Sequence, residues 1–360
     1  MHPSNQLKPE WVKIIRKTAP LAEQAGMLHP DQLQLIYEQG WFKFLVPEVY
    51  SGLQLPLPDM VRLEESLAWA NGSLGWVVTL CSGAGWFGGF LSPQIAPQLF
   101  ADPHLCLAGS GASTGTATIV DGGYIINGRW KYASGVHHAT HLTANCIIKN
   151  GNETVLDDER NPLILPFIFD RKDVTLLSAW KFMGMMGTGS DAYEVRDLFV
   201  ENERCFKIDP DHTVIDAPLY QYPFLELAEA TLAANISGLA VHFTDLCVPV
   251  FADKIKGPKL NDSQKALMTQ SLANLTHELN TSRYEFYQAV DASWEGCLAG
   301  KATSLNLVSS TSRKLAKTAR ECVDKLYPYC GLQAANPDAE INQVWRDLHT
   351  ASQHSLLTFN

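Results

Sequence analysis

The hydrophobic pattern changes period twice along the chain, and this limits the fold more than any other feature. Up to about Pro103 apolar residues recur at helical spacing, as at Trp11, Ile14 and Ile15. Pro30 opens a second helix carrying Leu33, Leu35 and Ile36, and Gly40 closes it. Val46 to Leu53 reads as a loop with turn chemistry, and Pro58 starts a helix with Met60, Val61, Leu63 and Leu67. From Leu105 to Asp209 the period shortens to that of strands. Asp121-Gly122 predicts a hairpin between two short strands, and Asn127-Gly128 predicts a second turn. His141–Lys149, Leu163–Phe169 and Tyr193–Val200 are further strands, which together make a β barrel or sandwich. The helical period then returns. Three long helices are predicted, Phe224 to Phe251, Asn261 to Cys297 and Ser304 to Tyr329, with a shorter one over Asp338 to His354. The fold class is therefore α+β in three parts: a helical part over residues 1–104, a β part over 105–212 and a helical bundle over 213–360.

Composition narrows the classes of function. A net charge of −10 argues against nucleic acid or an anionic membrane as a partner. Ser66 to Ala101 contains no Asp, Glu, Lys or Arg, and Leu74 to Leu91 is long enough for a membrane span. Its many glycines fit buried helices of a soluble protein better. The eight cysteines form no CxxC, and the polar start of the chain has no signal-peptide core. The expectation is a cytoplasmic protein with reduced thiols.

No P-loop, HExxH or GxSxG is present. His137, His138 and His141 do not converge at strand spacing, so solvated loop histidines are expected and no metal site. Gly109 to Gly115 is either a phosphate cradle or a plain loop. Trp69, Trp76 and Trp86 either line an aromatic pocket or belong to the core, with the core favoured.

Four segments, in order, resemble the acyl-CoA dehydrogenase superfamily. They are Phe44–Leu53 with Glu64-Glu65 and Asn71–Trp76, then Asp121–Gly135, then Gly184–Ser190 leading into Val195–Val200, and Trp345–His354. The resemblance implies an acyl-CoA dehydrogenase-like fold: N-terminal helical domain, middle β-barrel domain and C-terminal four-helix bundle. Gly115-Thr-Ala117, the Gly-Arg-Trp-x-Tyr-x-Ser-Gly form and the Trp345 segment look like the oxygenase components of two-component flavin-dependent monooxygenases. In the dehydrogenases the Arg-Asp segment is followed by a carboxylate base. Here His354 and Ser355 stand in that region, and no Glu or Asp follows Asp347.

This likeness implies an enzyme that uses reduced FMN or FAD and O2 to oxygenate a small organic, aromatic substrate, with a separate flavin reductase as partner. Ala252 to Lys259 lacks the Arg that grips the adenine side in FAD-holding dehydrogenases, which leans towards FMN or a loosely held reduced flavin. The likeness places Ser134 at the flavin N5 region, Tyr132 near the ring, and Ser110, Gly115 and Thr116 on the cofactor. The implied catalytic residues are His354, near flavin C4a or the substrate's reacting group, and Ser134. Trp86 and Ser190 are taken as substrate contacts. Tyr132 and Ser134 otherwise simply share one strand face, and Arg346, Thr350 and His354 share one helix face. A flavin dehydrogenase acting on an acyl thioester and a non-catalytic relative are the competing readings. Apolar residues on more than one stripe of the bundle, such as Leu232, Ile236, Leu239 and Val241, predict a homotetramer or at least a dimer.

Overall fold

Proline and glycine punctuate the N-terminal helices as their chemistry requires. In the computed structural model, which describes residues 1–358, α1 spans Pro9–Ala25 and α2 spans Pro30–Gln39. Both begin on a proline, whose missing N–H is no loss there, and α2 ends at Gly40 with φ 66°. Helices α3 (Leu57–Ala70) and α4 (Gly72–Gly85) follow, then the short α5 (Ala96–Phe100). The most apolar part of the charge-free stretch, Leu74 to Leu91, is thus mostly α4, buried on nearly every side.

The sheet comprises β1 (Leu107–Val120), β2 (Gly123–Trp130), β3 (His141–Asn150), β4 (Glu153–Thr154), β5 (Ile164–Asp170), β6 (Thr175–Leu177) and β7 (Ala192–Glu201). Its order is β4-β3-β1-β2-β7-β6, with β5 also on β3. Only β1 and β3 run parallel. The Asp121-Gly122 hairpin forms as predicted between β1 and β2. Two local expectations fail here. Gly109–Gly115 is neither a loop nor a cradle but part of β1, with a register shift against β3 between Ser110 and Gly115. Asn127-Gly128 is not a turn; it lies inside β2, where the register against β7 shifts between Ile126 and Gly128. One side chain accounts for both glycines. A Cβ on Gly115 would lie 2.1 Å from the Trp130 ring, and one on Gly128 would lie 2.4 Å from it. Trp130 itself stacks on Tyr193 in the centre of the sheet's own core.

The C-terminal part has a short α6 (Pro218–Gln221), three long helices, α7 (Phe224–Lys256), α8 (Asp262–Leu298) and α9 (Leu305–Cys330), then α10 (Glu340–Ala351) and α11 (Ser355–Thr358). Asn261 and Gln264 form a reciprocal capping box at the start of α8. Helix α7 is the central element, packed against α3, α4, α8, α9 and α10. Leu232, Ile236, Leu239 and Val241 are therefore buried within the chain, and the second apolar stripe needs no other subunit to cover it. The same helix is long and apolar enough to cross a membrane, but 78% of its most apolar window is buried by the rest of the chain. The N-terminal helices and the bundle share one hydrophobic core, while the sheet has its own.

Candidate active site

Past Trp130 the chain leaves β2 and turns. Tyr132 takes a left-handed conformation (φ 65°), and the amide of Ser134 donates to the Tyr132 carbonyl at 3.1 Å. Tyr132 and Ser134 do not share a strand face, because neither is in a strand. The turn is pinned to the loop ahead of β7: Ala133 N–H donates to the Asp191 carbonyl (3.0 Å) and Gly135 N–H to the Thr188 carbonyl (2.9 Å). Asp191 secures that loop further. Its carboxylate accepts from the amides of Ala179 and Trp180 and pairs with His137 at 2.9 Å. These bonds hold its carboxyl below the usual range although burial opposes them.

Ser134 is buried and sits in a row of hydroxyls. Trp76 Nε1–H donates to Ser134 Oγ (3.1 Å), Ser134 Oγ lies 2.8 Å from Ser190 Oγ, and Ser190 Oγ lies 2.6 Å from Thr188 Oγ1. Thr188 in turn donates to the Met185 carbonyl at 2.6 Å. The amide of Met185, another left-handed residue (φ 54°), donates to the Asp347 carboxylate on α10. Burial pushes Asp347 up to about 7. Neighbouring Arg346 donates to the Met183 carbonyl and pairs with Glu23, each at 2.6 Å.

His354 lies between α10 and α11, so the expected face of Arg346, Thr350 and His354 does not exist. The helix ends at Ala351. Arg346 turns towards Glu23, Asp347 lies beneath Met185, and Thr350 and His354 face one cavity. The His354 ring centroid is 6.1 Å from that of Trp76, and its Nδ1 accepts a long bond from the Leu356 amide (3.4 Å). With Nδ1 as acceptor, a neutral ring carries its proton on Nε2. Burial lowers its pKa below the ordinary histidine range.

Trp76, Tyr132, Ser134, Trp180, Ser190 and His354 thus line one cavity of about 610 Å³. Trp180 meets Tyr132 edge-on at 6.2 Å and Phe182 at 4.4 Å, forming an aromatic wall. No Asp or Glu lines this cavity. Its size and apolar walls suit a planar heteroaromatic ring, and Ser134 offers an oxygen to the ring's edge.

The structure does not bring Ser110, Gly115 or Thr116 to this cavity. Ser110 accepts from the Ala112 amide on β1, Thr116 bonds the Asn127 carbonyl, and Gly115 abuts Trp130. Trp86 is not a pocket residue either. It is 2% exposed, bonded to the Leu219 carbonyl and packed on Phe90 at 4.5 Å, so it belongs to the core. Trp69 donates to Asp245, remote from the cavity. Of the three histidines His137 is exposed, as expected, while His138 and His141 are half-buried, and each of the three has a partner. His137 pairs with Asp191, His141 with Asp170 at 3.3 Å, and His138 Nε2 accepts from the Leu28 amide. Burial, with His137 nearby, pushes His138 down to about 4. Among the described residues no group of three or more His, Cys, Asp or Glu is arranged to hold a metal. The sequence reading missed Thr188, Trp180 and the anchoring role of Asp347, although the Gly184–Ser190 and Trp345–His354 segments contain two of them.

Residues 230–359 match the family model "Acyl-CoA dehydrogenase, C-terminal domain". The chain is 25% identical over 362 residues to the flavin-dependent monooxygenase oxygenase subunit HsaA of Mycobacterium tuberculosis, covering 95% of this chain and 88% of that one. The crystal structure of 3-HSA hydroxylase from Rhodococcus sp. RHA1 superimposes with a TM-score of 0.89 at 22% identity, covering 99% of this chain and 93% of that one. XiaF from Streptomyces sp., solved with FADH2 and glycerol, gives a TM-score of 0.85 at 20% identity, covering 98% and 93%. The chain has the acyl-CoA dehydrogenase-like fold. Its resemblance to the oxygenase components of flavin-dependent monooxygenases runs along nearly the whole length.

Proposed function

We propose that this chain is the oxygenase component of a two-component flavin-dependent monooxygenase, an oxidoreductase that oxygenates a small aromatic substrate. One observation carries the reading: the cavity brings Ser134 and His354 together among aromatic side chains and contains no carboxylate. A thioester dehydrogenase needs a base for the α-proton, and no carboxylate is placed for that task. Reduced FMN or FAD, delivered by a separate reductase, would supply the electrons that activate dioxygen. Ser134 and Tyr132 would hold the ring, with Ser110, Gly115 and Thr116 reaching only its more distant parts. Trp76, Trp180 and Phe182 keep water from the reacting face and accept an aromatic ring. His354, neutral at pH 7, would hold or move a proton at Nε2.

The same reading includes a homo-oligomer, a tetramer by likeness. Exposed Val248, Tyr284, Leu298 and Leu307 on the bundle support it. A cytoplasmic setting suits the eight cysteines, which stand as free thiols. The test is an anaerobic titration with reduced FMN and FAD, followed by admission of oxygen and mass analysis of candidate phenols and indoles. Uptake of reduced flavin and gain of one oxygen atom are expected. Bleaching of bound FAD by an acyl-CoA would establish the dehydrogenase instead.

A further inference from the structure

We propose that Thr188 and Ser190 fix the Ser134 hydroxyl as a hydrogen-bond acceptor towards the cavity, so that the site favours reduced over oxidised flavin. This rests on the flavin reading above and concerns how the protein tells the two redox states apart.

The argument is a count of protons along the row. A carbonyl oxygen only accepts, so at 2.6 Å from Thr188 Oγ1 the Met185 carbonyl takes the single Thr188 hydroxyl proton. Thr188 then has only lone pairs for Ser190, and at 2.6 Å Ser190 must donate to it. Ser190 is left with lone pairs for Ser134, and at 2.8 Å Ser134 must donate to Ser190. On its other side Ser134 Oγ accepts from Trp76 Nε1–H, a group that can only donate. The one Ser134 proton is used, and what remains to face the cavity is a lone pair.

The row has little freedom to reverse. Thr188 is buried and does not line the cavity, so at that end of the row water is not at hand to take over a broken link. Reversal would leave the Thr188 and Met185 oxygens at 2.6 Å with no proton between them. The backbone holds the spacing, through the Gly135–Thr188 and Ala133–Asp191 bonds and the Asp347 grip on Met185.

A fixed acceptor reads redox state through elementary flavin chemistry. The central-ring nitrogen N5 is an acceptor in the oxidised ring and carries N–H after two-electron reduction. An acceptor at that edge bonds the reduced ring and sets two lone pairs against each other in the oxidised one. Thr188 and Ser190 are thus positioning residues that act through Ser134.

The test compares dissociation constants of oxidised and dithionite-reduced FMN, and of the two FAD forms, by anaerobic equilibrium dialysis. The reading is the ratio of oxidised to reduced. In Ser190→Ala the Ser134 proton is released to the cavity. In Thr188→Val the hydroxyl is removed without loss of shape, and Ser190 can turn its proton to Ser134. Both variants should lower the ratio by about two- to tenfold, the weight of one neutral hydrogen bond, chiefly by tighter binding of the oxidised form. Thr188→Ser restores the hydroxyl and should keep the wild-type ratio. Oxidised 5-deaza-FMN has C–H in place of N5, and its affinity should not follow the change. Unchanged ratios in both Ser190→Ala and Thr188→Val, with wild-type near-UV circular dichroism and intact binding of reduced flavin, overturn this inference and leave the oxygenase reading standing. A wild-type chain that binds neither form overturns the flavin reading itself.

Discussion

On the wall of the cavity built by the β domain, each proton of the serine–threonine row has a partner; on the wall at the end of the bundle, His354 has only a long contact from the Leu356 amide. Ser134, Ser190 and Thr188 form one directed row, closed by a carbonyl and anchored through Met185 to a carboxylate. His354 sits in a three-residue gap between α10 and α11, with Nδ1 facing the Leu356 amide at 3.4 Å. The neighbouring His349 shows what a committed histidine looks like here. Its two nitrogens bond the Trp345 carbonyl and Asp324, each at 2.7 Å. A group that recognises a bound ring benefits from fixed direction, since nothing need reorganise on binding. A group that moves a proton needs one nitrogen left free. The two walls divide these tasks.

The largest expected effect lies on the free wall. His354→Ala should lower product formation by at least about a hundredfold while reduced flavin still binds, because positioned acid–base groups contribute about 10²–10⁴-fold. Turnover with a known substrate, measured beside flavin affinity, checks it. Near wild-type turnover would leave the free wall without a chemical role. Burial lowers the His354 pKa, so the imidazole charges only below the ordinary histidine range. The acid limb of the rate profile should therefore fall below about pH 6.5, the unperturbed value.

The next effect is on the anchor of the fixed wall. Asp347→Ala leaves the Met185 amide buried without an acceptor, at a cost of about 1–3 kcal/mol, visible in urea unfolding. Asp347→Asn keeps an acceptor and should cost less. The pH dependence carries a sign. Asp347 is pushed up to about 7 in the fold from an unfolded value near 3.9. Between those values the native state holds the extra proton, so stability falls as pH rises. Glu64, buried and pushed up to about 8, adds a slope of the same sign. Asp347→Asn should therefore reduce the loss of stability between pH 5 and pH 7.5 without abolishing it. An unchanged slope would mean that Asp347 is ionised throughout and that the wall is held by charge.

The division between the walls also explains what the sequence made legible. The helices were readable because their ends are local chemistry: Pro30 and Gly40, or Asn261 with Gln264, need no tertiary information. Asn127-Gly128 was misread because one dipeptide serves both a turn and a bulge, and only Trp130 decides between them. Extending a helix to His354 failed for a similar reason. No Gly or Pro marks the stop at Ala351, so spacing arithmetic ran on past it. Ser134, Ser190 and His354 came from family likeness, and the cavity does gather them. Trp86 did not follow, since nothing in a tryptophan tells a core site from a cavity wall. The hydroxyl row was out of reach altogether. Thr188 and Ser190 are brought side by side across Gly189, which has φ 53°, and no periodicity encodes that.

A smaller effect is expected at Ser134 itself. Ser134→Ala removes one neutral hydrogen bond to the ring edge, about 0.5–1.5 kcal/mol, so reduced flavin should bind about two- to tenfold more weakly. More hydrogen peroxide should also escape per reduced flavin consumed. Unchanged affinity for the reduced form would place the ring edge elsewhere on the cavity wall.

Trp76→Phe should give the smallest change in recognition, and it separates the two ends of the row. Trp76 feeds a proton into Ser134 Oγ from the side opposite Ser190. If direction is set from the Thr188 end, losing the indole N–H frees a lone pair on Ser134 but leaves its proton on Ser190. The phenyl ring still covers the cavity and still faces His354. Stability should fall by about 0.5–1.5 kcal/mol for the lost bond and by a further amount for the smaller ring. The preference for reduced over oxidised flavin should persist, in contrast to Ser190→Ala, where it weakens. If Trp76→Phe abolishes the preference while Ser190→Ala spares it, the proton direction is set by the indole. The fixed wall would then belong to α4 rather than to the loop held by Asp347.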